Sequence, residues 1–118
     1  MTLKILLLQA RHKHDLAREE ERQSFADRAG LTIEQIVPHD LLEKPPTLAQ
    51  IRRYDALMVG GSGAYSVFRQ NLPDQQAVLD VLAEVVAVGH PTFASCFGFH
   101  LMVNALGGKV IYDPDCME

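Results

Sequence analysis

Residues 91–110 read PTFASCFGFHLMVNALGGKV, and their local order decides the fold. Residues 91–95 predict a short strand, and Cys96 stands at the turn that follows. Residues 97–106 are largely apolar and free of proline, which predicts a helix ended by the glycine pair at 107–108. Residues 109–112 (KVIY) predict the start of another strand. A strand, a tight turn and a helix returning toward a further strand form the repeating unit of a parallel sheet.

The preceding segments repeat this unit. Over 73–89, Pro73 fits a first helical turn and Gly89 a stop, while Val78, Val81, Leu82, Val85 and Val86 make an i, i+3, i+4, i+7, i+8 stripe. Before it, 56–59 (ALMV) predicts a buried strand, followed by the glycine-rich loop 60–63 (GGSG). The opening run 3–8 (LKILLL) lacks polar alternation in its aliphatic part and fits a strand covered on both faces. Residues 15–29 predict a helix with Asp15 as N-cap, acids at 19–21 near its positive end and Gly30 just past its stop. Residues 31–37 (LTIEQIV) predict an edge or near-edge strand, and Pro38, Pro45 and Pro46 mark an irregular connection.

The order is β-α-β-irregular-β-α-β-α-β. It predicts an α/β fold with an open, doubly wound, mostly parallel sheet and helices on both faces, a flavodoxin-like three-layer arrangement. Because a strand has only begun when the 118 residues end, we read 1–118 as one incomplete domain, truncated at its C-terminus, with no second domain.

Bulk composition narrows the function. With 47% hydrophobic and 22% charged residues the chain is of ordinary globular make-up. The net charge of -4 offers no footprint for nucleic acid or an anionic membrane. The basic residues of 11–28 alternate with acids, which reads as a solvated helix face. The two cysteines, Cys96 and Cys116, form neither a CxxC pair nor a Cys/His ligand set, so neither a structural metal nor a cofactor is expected. The N-terminal apolar run is too short for a secretion signal or a membrane span, and a cytoplasmic location is expected.

In an open parallel sheet, ligands bind beyond the carboxyl ends of the strands. The loops 9–15, 60–68 and 95–98 belong at that edge. A cysteine on a strand-to-helix turn is presented above the sheet, and the helix N-terminus favours its thiolate. The N–H of Phe97 points into the same space, and Gly98 permits close approach of a backbone or a substrate. The glycine loop at 60–63 supplies further N–H groups, while the loop Arg11-His12-Lys13-His14-Asp15 after the first strand either touches an anionic substrate or is simply a solvated loop with an N-cap. Read as structure alone, Cys96 is a small buried core residue and the glycine loop a bare turn.

Two of these segments, 91–110 and 55–66 (DALMVGGSGAYS), resemble the class I glutamine amidotransferases. That family shows Cys-x-Gly-x-Gln after a strand, then an apolar helix and a glycine pair, with a Gly-Gly oxyanion loop earlier in the chain. The resemblance implies that Cys96 attacks the side-chain amide of glutamine. The N–H groups of Gly61 and Phe97 would stabilise the oxyanion, and Gly60, Gly98 and His100 would line the substrate pocket. Ammonia would pass to an acceptor through a synthetase domain or subunit, the implied partner. The sequence departs from the family twice. His100 replaces the pocket Gln, and none of His12, His14, His39, His90 and His100 has Glu two residues on, as the family's His-x-Glu base does. The chain by itself is therefore expected to lack activity, and its uncovered surfaces to promote self-association. Two alternatives stay open: a DJ-1/PfpI-like relative with another cysteine-dependent hydrolase activity, and a non-catalytic binding or assembly module. For His100 the readings are a pocket residue, a substitute base for Cys96, or a side chain packed in an apolar helix.

Overall fold

A computed structural model describes residues 3–12, 14–62, 72–94 and 97–107. Four strands form one all-parallel sheet in the order β2-β1-β3-β4: β1 (Ile5–Gln9), β2 (Ile36–Asp40), β3 (Ala56–Val59) and β4 (Thr92–Ala94). Helices α1 (Leu16–Ala29), α2 (Leu48–Ile51), α3 (Gln75–Ala87) and α4 (Phe97–Ala105) complete the described chain. This is the α/β, flavodoxin-like arrangement expected from the alternation of elements. Cys96 and the strand expected over 109–112 lie outside the described residues.

Strand pleating divides the core in two. Leu6, Leu8, Leu57 and Val59 point to one face, where Ile51 of α2, Val78, Leu82 and Val85 of α3 and Leu101 of α4 pack on them. Ile5, Leu7, Ile36 and Met58 point to the other, where Phe25 and Ala26 of α1 cover them. Every residue of β1 is buried, so its aliphatic run serves both layers at once. Phe93, the ladder partner of Met58, stands on the α1 side at the edge of the described sheet and is 62% exposed, since α1 lies toward β2.

The local signals for α1 hold. Asp15 accepts the Ala17 N–H at 2.9 Å, and Gly30 takes the left-handed conformation that ends the helix, φ 71°. The strand expected over 31–37 begins later. Thr32 donates its N–H to the Gln35 side chain at 2.9 Å, closing a single 3₁₀ turn, Ile33–Gln35, before β2 starts. Pro38 lies inside β2 rather than marking its end, which an edge strand tolerates because one side of its ladder needs no N–H. In α3 the buried stripe runs through Val78, Leu79, Leu82 and Val85, and Val86 is exposed instead of buried. The irregular connection contains α2, one turn in which Thr47 and Gln50 cap each other reciprocally.

Candidate functional site

The sheet winds in two directions from β1. The chain leaves β1 through α1 on one face to reach β2, and leaves β3 through α3 on the other face to reach β4. Loops that part to opposite faces open a crevice between their strand ends, the usual ligand position of such sheets. Here the crevice lies between Gln9–Arg11, at the end of β1, and Gly60–Gly61, after β3. The Gly60 N–H donates to the Leu8 carbonyl at 3.0 Å, which stitches the two ends together.

The first turn of α4 packs directly on the end of β3. Gly98 is buried, and a Cβ there would land on the Val59 carbonyl oxygen, with the Val59 carbonyl carbon 2.7 Å away. Only glycine lets the helix come this close. Because Val59 precedes Gly60, this contact brings the Phe97–Gly98 turn beside the glycine loop. Of the residues that sequence assigns to the site, Gly60, Gly61 and Gly98 therefore share one end of the sheet with the start of α4. His100 is exposed, its ring beside Phe99 at 6.2 Å between centroids. It does not pack into the core, where Leu101 is the α4 residue that does.

The crevice also holds a residue that sequence reasoning missed. Glu21 reaches from α1 into the space between the strand ends. Its Oε2 accepts the Gly61 N–H at 2.8 Å and Arg11 Nη2 at 3.2 Å, and its Oε1 accepts Gln9 Nε2 at 3.2 Å. Gln9, 1% exposed, also donates to the Arg18 carbonyl at 2.7 Å. The Glu21 and Arg11 side chains retain 11% and 17% exposure. A Cβ on Gly60 would collide with the Glu21 carboxylate, so the glycine makes room for an acid. The N–H assigned to the oxyanion is thus held here by a carboxylate. Two buried atoms of this cluster, Gln9 Oε1 and Arg11 Nε, have no hydrogen-bond partner.

A legible hint existed. Gln9 is a polar residue closing an aliphatic strand run, and Arg18, Glu21, Arg22, Phe25 and Ala26 recur at the spacing of one helical face. Arg22, read as solvated, instead donates to the carbonyls of Ile36 at 2.7 Å and Ile33 at 2.9 Å, fastening α1 to β2.

Among the described residues no group of three or more His, Cys, Asp or Glu could hold a metal ion, and no helix is long and apolar enough to cross a membrane. A groove of about 560 Å³ between α3 and α4, lined by Leu72, Asp74, Gln75, Leu79 and Asn104 among others, includes none of the residues assigned to the site. Comparison of the chain with models of protein families, with curated proteins and with solved structures found no match.

Proposed function

We propose that the chain is the nucleophile-bearing part of a class I glutamine amidotransferase-like domain. What supports this most is the close seat of Gly98 on Val59, which sets the start of the helix after Cys96 against the Gly60–Gly61 loop. A thiolate and an oxyanion loop must meet in this way for acyl transfer. Cys96 attacks the glutamine side-chain carbonyl, the N–H groups of Phe97 and Gly61 receive the oxyanion, ammonia leaves, and water hydrolyses the thioester. A synthetase domain or subunit takes the ammonia, and self-association covers apolar surface such as Phe93 when no partner does.

The thiol provides the test. Cys96 is expected to alkylate faster than Cys116, with a thiol pKa below the free value of about 8.5, because a helix N-terminus favours its thiolate. Alkylation rates at each site against pH measure this. A Cys96 pKa at or above the free value removes the physical case for a nucleophile.

His100 bears on substrate choice. It stands where the resembled family carries its pocket Gln, and its exposure leaves it able to face a ligand. His100→Gln is expected to improve the protection that glutamine gives Cys96 against alkylation, by about fivefold, since one well-placed hydrogen bond is worth about 1 kcal/mol. His100→Ala should weaken protection while leaving the pH profile of Cys96 in place. A rise in the Cys96 pKa in both variants would instead identify His100 as the base.

A further inference from the structure

We propose that Glu21 is a two-position latch on the Gly61 amide, held between that amide and the open edge of the Arg11 guanidinium; the inference rests on the amidotransferase reading for its consequence, though not for its geometry. Glu21 Oε2 is shared between the Gly61 N–H at 2.8 Å and Arg11 Nη2 at 3.2 Å, while Arg11 Nε is buried without a partner. An orphaned guanidinium N–H is costly, and it calls for a reason. Nε and Nη2 together form the side-on fork with which arginine grips both oxygens of a carboxylate. Only one prong is engaged here. A small shift of the carboxylate toward Arg11 fills the second prong and withdraws Oε2 from Gly61.

Each position exchanges one charge-assisted hydrogen bond for another, so neither is far above the other. The missing Cβ of Gly60 admits the carboxylate at its present position beside Gly61, because a side chain there would occupy its place. With the carboxylate on Gly61, the N–H is spent on a fixed negative charge and cannot receive an oxyanion. With the carboxylate in the Arg11 fork, the N–H is free. Arg11 lies in the loop that follows β1 at the ligand edge, so an event at that loop can select the position.

The opposite signs of two substitutions distinguish a latch from a mere structural support. The probe is the chloromethyl ketone analogue of glutamine, in which CH2Cl replaces the amide nitrogen. The Cys96 thiolate adds to its carbonyl carbon, forming a first C–S bond and an oxyanion. The sulfur then shifts to the methylene, its new C–S bond forming as the C–Cl bond breaks and chloride leaves, and the first C–S bond breaking as the carbonyl is restored. Iodoacetamide, which loses iodide by direct displacement without an oxyanion, serves as the reference. The ratio of the two rates on the full chain reads how well the loop receives an oxyanion. Glu21→Gln offers Gly61 a neutral and weaker acceptor and is expected to raise the ratio about fivefold. Arg11→Lys keeps the charge but removes the fork, and is expected to lower the ratio by a similar factor. The amide resonance and hydrogen exchange of Gly61 by NMR give a second readout that needs no chemistry, with faster exchange expected in Glu21→Gln and slower exchange in Arg11→Lys. A lowered ratio in both folded variants, or a Gly61 amide indifferent to both, overturns the latch. If the amide responds with opposite signs while the wild-type ratio equals that of a free thiol, the latch stands and the amidotransferase reading fails.

Discussion

Replacing Gly98 by Ala is expected to lower the melting temperature by about 10 °C and to slow alkylation of Cys96 in the folded fraction. The added Cβ would meet the Val59 carbonyl oxygen, and the carbonyl carbon and Cβ of the same residue lie within 2.7 and 2.9 Å of it. These are atoms of a strand in the centre of the ladder and cannot rotate aside, so α4 must retreat. Overpacking of this kind costs about 1–3 kcal/mol, and 1 kcal/mol corresponds to about 4–8 °C in a domain near this size. The better helix propensity of alanine offsets about 1 kcal/mol at most. Gly30→Ala is the control: nothing lies within 4 Å of its Cβ position, but its φ of 71° makes alanine strained. It should cost about 1 kcal/mol and leave Cys96 reactivity alone, since its effect is confined to the end of α1. Thermal unfolding by circular dichroism with iodoacetamide rates checks both. A Gly98→Ala chain as stable as the parent would show that α4 does not need its close seat on β3.

The same contact explains what was readable in the sequence. Alternation of strand and helix, the unbroken aliphatic run of β1 and the glycine stops are local signals, and they led to the parallel sheet with helices on both faces. Boundaries failed where two local preferences competed. Residues 31–35 look β-branched, yet Thr32 and Gln35 satisfy each other within one turn and postpone β2. Val86 fits the apolar stripe of α3 but is 40% exposed, while Leu79, which the stripe left out, is buried.

The site was legible where glycine was required and hidden where an acid was. Gly60 and Gly98 could be singled out because each occurs where a strand meets a loop or a helix, and in both cases a neighbouring group occupies the place of a Cβ. Glu21 sits in a run of three glutamates at 19–21 that reads as a helix's acidic first turns. Helical spacing sets it apart from Glu20, on the face of Arg18, Arg22, Phe25 and Ala26, but does not name its partner. Only the tertiary placement of α1 brings its carboxylate 2.8 Å from the Gly61 amide, 40 residues away in the chain. Periodicity gives the helix face and not the partner 40 residues away, which is why the carboxylate on the proposed oxyanion donor was missed.

The purified 118-residue chain is expected to release no ammonia from glutamine at an enzymatic rate. A cysteine nucleophile needs a group to take the thiol proton and later deliver a proton to the departing nitrogen, and such help contributes about 10²–10⁴-fold. None of the five histidines is followed two residues later by glutamate. His39 engages the Lys44 carbonyl at 2.9 Å beyond the far side of β1, on the edge strand β2, and His100 is exposed beside Phe99. Without a base, the helix N-terminus can raise the thiolate fraction of Cys96 but cannot protonate the leaving group. The proposed oxyanion donors would act on a step that then stalls, and the Glu21 carboxylate on Gly61 would remove part of their benefit. Alkylation of Cys96 should therefore be fast while turnover is absent, a dissociation that neither an inert buried thiol nor a complete enzyme would show. Ammonia release is measured beside a Cys96→Ala chain, with iodoacetamide labelling of the same preparation. Turnover at a normal enzymatic rate that vanishes in Cys96→Ala would mean that one of the histidines already present acts as the base, with His100 the first to replace because it follows Cys96 by four positions on the adjoining helix.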